Sequence, residues 1–268
     1  MALPEVSAVE LELDRGWLTI WLNRPDVRNA LTHDLVNELV AVLDAVRNDR
    51  AVRGITLRGR GGVFCAGGDL KGFRDTLQAL DQPEKVIAQS RRGAEIFDTV
   101  NAMPQVVIAV VEGAAMAGGF GLACCADVAI VAAGAKFAFT ETAIGLTPAQ
   151  IAPFVIQKMG YATARRLMLT AARFDGTEAG RLGFADVVAE TVEDLEAAEA
   201  AIRAQVLRCA PGAVADIKAL ILALPGLDRN AQIQAAAENF TGRMLSDEGR
   251  EGVASFLEKR KPVWAEVG

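Results

Sequence analysis

The sequence predicts an α/β fold that ends in a helical region. Three observations carry that prediction. Short β-branched runs alternate with amphipathic stretches through the first two-thirds of the 268 residues. Two of those runs end in glycine clusters, Gly62-Val63-Phe64-Cys65-Ala66-Gly67-Gly68-Asp69 and Gly113-Ala114-Ala115-Met116-Ala117-Gly118-Gly119. Beyond about residue 190 the periodicity is helical only. Residues 1–190 therefore read as the core and residues 191–268 as a helical C-terminal region.

The elements follow in order. Val9-Glu10-Leu11-Glu12-Leu13 alternates as a strand, Asp14-Arg15-Gly16 turns, and Trp17 to Leu22 returns as its partner. Residues 32–48 form an amphipathic helix, with Thr32 as N-cap and Leu35, Leu39, Val42, Leu43 and Val46 on one stripe. A strand at 54–58 leads into the first glycine turn. Residues 69–103 read as helical with a polar middle, Asp81-Gln82-Pro83-Glu84-Lys85, lying over the site. A strand at 106–111, the second glycine turn, a helix at 117–126 and a strand at 128–132 repeat the pattern, as βαβ units with right-handed crossovers. Helices at Val192–Cys209, Gly212–Ala223, Leu227–Phe240 and Ser246–Glu258 complete the chain, divided by Pro211, Gly212, Pro225 and Gly226.

Composition removes whole classes of function. The net charge of −6 argues against nucleic-acid binding. No apolar run reaches the ~20 residues of a membrane helix, and the first residues lack a basic segment followed by an apolar one. Cys65, Cys124, Cys125 and Cys209 have no metal spacing and read as reduced, buried thiols of a cytoplasmic protein. His33, the one histidine, sits at a helix start, so a histidine-based triad or multi-histidine metal site has no material. Gly59-Arg60-Gly61 is not a dinucleotide fingerprint, because Phe64 stands where a third glycine is needed.

Chemistry gathers at the glycine turns. Each delivers backbone N–H groups at a strand end, without side chains to block a ligand. A helix N-terminus adds unpaired amides and positive dipole character. Two such amides converging on one oxygen form an oxyanion hole, which stabilises an enolate or a tetrahedral oxyanion.

The residues Phe64-Cys65-Ala66-Gly67-Gly68-Asp69-Leu70-Lys71 together with Gly113 to Gly119 resemble the crotonase (enoyl-CoA hydratase/isomerase) family. So do Leu22-Asn23-Arg24-Pro25-Asp26-Val27-Arg28-Asn29-Ala30-Leu31 and, near the end, Glu251 to Pro262. The resemblance covers nearly the whole chain. It implies a crotonase-like ββα spiral core and a helical tail that packs in homotrimers or in hexamers built as dimers of trimers. It places the two oxyanion-hole amides at Gly68 and Gly118, holding the carbonyl oxygen of an acyl-CoA thioester. Coenzyme A then belongs to the substrate, and neither a separate cofactor nor a metal is implied. Arg28 and Lys71 would face the CoA phosphates and adenine pocket, with the Ala66 backbone near the adenine. Phe240 and Lys259 would reach the nucleotide, supplied by a neighbouring subunit.

Many hydratases of that family use two glutamates. Glu141 matches one of the positions, in an apolar neighbourhood of Phe137, Phe139, Ala143 and Ile144 that would raise its pKa. The other position is Gly121, which carries no proton. One carboxylate and an oxyanion hole suffice for double-bond isomerisation, so proton counting favours an isomerase. The run Gly145-Leu146-Thr147-Pro148-Ala149-Gln150-Ile151-Ala152-Pro153-Phe154-Val155 instead resembles methylglutaconyl- and isohexenylglutaconyl-CoA hydratases, which favours adding water to a branched or carboxylated enoyl-CoA. A family member that binds CoA without catalysis is the third reading. Asp127 reads as a structural cap and Asp69 as a helix N-cap.

Overall fold

The computed structural model describes residues 3–69 and 82–265. Lys71 and the first part of the helix expected over 69–103 lie outside the described residues.

Strands β1 (Val9–Asp14) and β2 (Trp17–Leu22) pair antiparallel about Arg15 and Gly16, whose φ angles are 44° and 77°. Both central residues have positive φ, as a two-residue hairpin loop requires. Helix α1 (His33–Arg47) is capped by Thr32, whose side chain accepts from Leu35 N. Its expected stripe of Leu35, Leu39, Val42, Leu43 and Val46 is fully buried. Strand β3 (Gly54–Gly59) follows. Helix α2 (Pro83–Asn101) covers the described part of the stretch read as helical over 69–103, with Pro83 in its first turn. A proline lacks the N–H that a helix interior needs, but at a helix start that donor would be unpaired in any case.

The rest of the core runs β4 (Val106–Val111), β5 (Ala114–Met116), α3 (Gly118–Cys124), β6 (Val128–Ala132) and β7 (Lys136–Ala138). It continues through α4 (Ala152–Met159), α5 (Tyr161–Thr170), β8 (Phe174–Asp175), α6 (Gly176–Arg181) and β9 (Val187–Ala189). One sheet has the order β1-β2-β3-β4-β6-β9 and is parallel beyond the first hairpin. The other has the order β5-β7-β8, and Cys65 extends it by a bridge to Ala115. Successive units put one strand in the large sheet and a short strand in the small sheet, and then return through a helix. This is the ββα spiral. The short strands β5, β7, β8 and β9 are too brief to show a period of their own and are invisible to sequence periodicity.

Alternation sorts the large sheet into two faces. Leu18, Ile20, Leu22, Ile55, Leu57, Val107, Ala109 and Val111 join the main core beneath α1 and α2. Trp17, Ile108, Val110 and Ile130 face α7 (Val192–Leu207). That second face is also strongly polar. Trp17 Nε1 donates to Thr56 Oγ1 at 2.8 Å, and Thr56 Oγ1 donates to Glu199 Oε1 at 2.6 Å. Arg58 bonds Glu196 at 2.7 Å and Glu199 at 3.4 Å, and Arg203 also pairs with Glu199. A buried carboxylate is tolerable only with such partners. Arg53, also buried, donates to the carbonyls of Leu207, Cys209 and Trp264, fastening the last helices to the sheet edge.

Helices α8 (Pro211–Ala223), α9 (Arg229–Met244) and α10 (Asp247–Leu257) follow. Cys65, Cys124 and Cys125 are buried, but Cys209 is exposed, which corrects the expectation of four buried thiols. It lies in the turn between α7 and α8. Asp127 caps no helix. Its Oδ2 accepts from Val107 N at 2.7 Å and from Lys218 Nζ at 2.7 Å, joining β4 to α8. Among the described residues no helix is long and apolar enough to cross a membrane.

Two glycines test this packing from opposite sides. A Cβ on Gly119 would lie 2.4 Å from Cys65 O, so Gly119→Ala is expected to cost about 1–3 kcal/mol through overpacking. A Cβ on Gly93, inside α2, meets nothing within 4 Å. Gly93→Ala is expected to stabilise by up to ~1 kcal/mol through helix propensity. Urea unfolding midpoints of the two variants check both signs.

Candidate active site

Four chain segments lie side by side at one end of the small sheet. Ala66 N donates to Arg28 O at 3.0 Å and Leu31 N to Gly67 O at 2.8 Å. Cys65 N donates to Ala114 O at 3.2 Å and Met116 N to Cys65 O at 3.0 Å. Ala117 N donates to Ala138 O at 2.8 Å. These bonds join residues 28–31, 65–68, 115–118 and 138–141 edge to edge.

The glycines make that approach possible. Gly67 has φ +98°, and a Cβ there would lie 2.8 Å from both Ala117 Cβ and Met116 O. Gly118 is the first residue of α3, so its N–H has no intrahelical acceptor. A Cβ on Gly118 would sit 3.8 Å from Gly68 N, which puts the two turns within reach of one ligand atom. Among the described residues neither the Gly68 nor the Gly118 amide has a recorded acceptor. Ala117 holds φ 50° and ψ −128°, a conformation that costs a non-glycine residue roughly 1–3 kcal/mol. The bond from Ala117 N to Ala138 O and the first turn of α3, where Gly121 N donates to Ala117 O, hold it there.

Glu141 reaches the same end of the sheet. β5 and β7 run parallel, with Met116 opposite Ala138, so Gly118 and Glu141 follow within three residues of that pair. Aromatic packing fixes the spacing. Phe120 stacks on Phe139 with ring centroids 4.5 Å apart, and Phe137, Phe174 and Phe184 surround it. Glu141 Oε2 is buried and has no hydrogen-bond partner among the described residues. Burial raises the Glu141 pKa above the ordinary carboxylate value. The apolar setting differs in detail from expectation: Phe137 and Phe139 are fully buried, whereas Ala143 and Ile144 turn to solvent in the 3-10 turn Glu141–Ile144.

The position three residues after Gly118 is closed. A Cβ on Gly121 would lie 2.2 Å from Ile151 Cγ2. Ile151 thus fills the space a longer side chain would need. The remaining walls are apolar. Leu31 Cδ1 and Phe97 Cζ come within 3.3 and 3.8 Å of a Cβ placed on Gly118, and Phe97 packs on Phe154 with ring centroids 6.1 Å apart.

The other expected contacts divide. Arg28 is exposed, has φ 55° and lies beside Ala66 through the backbone bond between them. The Ala66 carbonyl accepts no recorded bond among the described residues. Phe240 and Lys259 sit apart from this cluster within one chain, Phe240 68% exposed on α9 and Lys259 just beyond α10 with φ 57°. Asp69 follows Gly68 directly, and the helix it was expected to cap lies outside the described residues. His33 is exposed at the start of α1, two residues beyond Leu31. Sequence reasoning missed Ile151 as the residue that closes Gly121, and no local signal marks a contact made across 30 residues.

Residues 12–267 match the family model described as enoyl-CoA hydratase/isomerase. The structure of Pseudomonas aeruginosa AtuE is 47% identical, with a TM-score of 0.93, covering 97% of this chain and 100% of that one. An enoyl-CoA hydratase/isomerase from Marinobacter aquaeolei is 41% identical, with a TM-score of 0.90, over 96% of this chain and 99% of the other. The crotonyl-CoA hydratase of Syntrophomonas wolfei is 32% identical over 94% of this chain and 95% of its own length.

The state of Glu141 has a stability consequence. Its folded pKa is raised, so its ionised form destabilises the fold once pH exceeds the unfolded value. Glu141→Gln is expected to raise stability at about pH 7.5 by up to ~1 kcal/mol, the cost of one unpaired buried oxygen reduced by solvent screening. At about pH 3, below the unfolded value, where the carboxyl is protonated in both states, the gain disappears. Urea titrations at the two pH values check this.

Proposed function

The chain belongs to the enoyl-CoA hydratase/isomerase family, and we propose that it adds water across the 2,3 double bond of a branched or carboxylated enoyl-CoA. The observation that carries the reading is the unpartnered, buried carboxylate oxygen of Glu141 at the same sheet end as the free Gly68 and Gly118 amides.

In this reading the thioester carbonyl oxygen lies between the two amides. Charge that develops on it as the enolate forms is met by preorganised donors, reinforced by the N-terminus of α3. The ionised Glu141 takes a proton from water as the water oxygen bonds to C3, and the proton returned to C2 completes the addition. Desolvation raises the carboxyl pKa above its ordinary value, which favours its return of the proton. The reaction needs no cofactor beyond the CoA of the substrate. Arg28 and the Ala66 carbonyl are proposed to hold the nucleotide end, with Lys71.

One observation favours a second reading. Ile151 occupies the room beside Gly121, so a single carboxylate serves the site. That set moves a proton between C2 and C4 and makes a Δ3,Δ2-isomerase. Mass spectrometry of straight-chain 2-enoyl-, 3-enoyl- and methylglutaconyl-type thioesters separates the readings. Gain of one water, reduced ~10²–10⁴-fold by Glu141→Gln, is expected. An isobaric product with the double bond moved establishes the isomerase, and no effect of the substitution leaves a CoA-binding protein.

The assembly is proposed to be a homotrimer or a pair of trimers. Phe240, Met244, Leu245, Val253, Phe256 and Leu257 are all exposed on or beside α9 and α10, with Phe256 at 83%. A patch of that kind marks an interface, and covering it would bring Phe240 and Lys259 to a neighbouring subunit. Sedimentation equilibrium is expected to give the mass of three or six chains. A stable monomer with full CoA affinity overturns this.

A further inference from the structure

Ser90 and Gln150 form a polar contact on the otherwise apolar side of the site. Gln150 immediately precedes Ile151, the residue packed on Gly121. Ser90 lies on α2, seven residues before Phe97, whose ring approaches Gly118. Seven residues are two helical turns, so Ser90 and Phe97 share a face of α2. Gln150 Nε2 donates to Ser90 Oγ, and both residues are half-buried. Ile151 and Phe154 on one strand of the contact, and Phe97 on the other, therefore put this pair in the same wall that borders the oxyanion turns.

Donor counting decides what the pair can receive. The Ser90 oxygen accepts from Gln150, which among the described residues leaves the Ser90 O–H hydrogen and the second Gln150 N–H without a recorded acceptor. The residues next to them in the fold, Ile151, Phe97 and Phe154, offer no acceptor side chain. Half-buried donors of this kind cost free energy unless an acceptor meets them. Ser90 lies ~10 Å along α2 from Phe97, the residue of that helix recorded beside Gly118. An acyl chain of about five to eight carbons spans that distance.

We propose that Ser90 and Gln150 bind an oxygen acceptor at the distal end of the acyl group and so select carboxylated over methyl-terminated thioesters. The assignment rests on the acyl-CoA reading above. It adds the residues that set specificity, a role separate from the proton transfer given to Glu141. Neither residue touches the reacting carbons, and neither is needed for the enolate.

Competition calorimetry with saturated thioesters reads the selection without turnover. Glutaryl- and adipyl-CoA are compared with pentanoyl- and hexanoyl-CoA on the wild-type protein, Ser90→Ala, Gln150→Leu and Gln150→Glu. The wild type is expected to prefer the dicarboxylate derivatives. Gln150→Leu and Ser90→Ala are expected to reduce that preference about tenfold, the loss of roughly one hydrogen bond to a charged group. Gln150→Glu, which keeps the size and brings a negative charge, is expected to reverse it while methyl-terminated thioesters bind as before. Equal changes for both thioester classes, or an unchanged ratio in all three variants, overturn the assignment. Steady-state rates on the matching 2-enoyl-CoAs are measured alongside. A shifted binding preference with no turnover of any thioester defeats the hydratase reading alone. Normal turnover with an unchanged preference defeats this assignment alone.

Discussion

The bond from Met116 N to Cys65 O is the contact on which the site depends. It draws the two glycine turns together until backbone meets backbone. Any side chain at Gly67 or Gly119 would stand in the way, since a Cβ at either would come within 2.8 Å of the opposite turn. The large sheet supplies the alignment: β3 and β4 pair in parallel, so their ends present both turns on one side. The small sheet then carries the register onward through Cys65, Ala115 and Phe137 to Phe174. The position of each amide follows from hydrogen bonds within sheets, and side-chain rotamers have little say in it.

The Glu141 carboxylate is placed by different forces. Phe120 is two residues beyond Gly118, and Phe139 is two residues before Glu141, and their rings stack. Apolar packing thus ties the helix that begins at the hole to the segment that ends at the acid. The same packing strips Glu141 of water. Stability and reactivity share one cause here, because the rings that settle the geometry also perturb the titration of the carboxyl. Across the large sheet, the network of Thr56, Arg58, Glu199 and Arg203 closes the second face without adding to the site.

Legibility in the sequence followed the range of the interaction. The stripe on α1 and its Thr32 cap are local, and they stand as periodicity and capping rules predict. The glycine turns were visible because strand ends and glycine clusters are neighbours in the chain. The start of α2 at Pro83 was also written in the sequence, since the polar run Asp81 to Lys85 carries a proline of the kind that begins a helix. Contacts between distant segments were not legible. Ile151 over Gly121, Ser90 with Gln150, and Arg53 on the carbonyls of Leu207, Cys209 and Trp264 each join residues that no window spans. Thr56 and Arg58 on β3 likewise find their partners Glu196 and Glu199 about 140 positions away.

A backbone donor has no codon of its own. The amides at Gly68 and Gly118 persist through any substitution that leaves the chain path intact, and the close quarters around Gly67 and Gly119 admit few alternatives to that path. Mutational drift in a lineage with this framework is therefore channelled outward, into the face of α2 and the loop that precedes α4. The shape of the cleft can change there one residue at a time while the paired backbone donors are inherited unchanged.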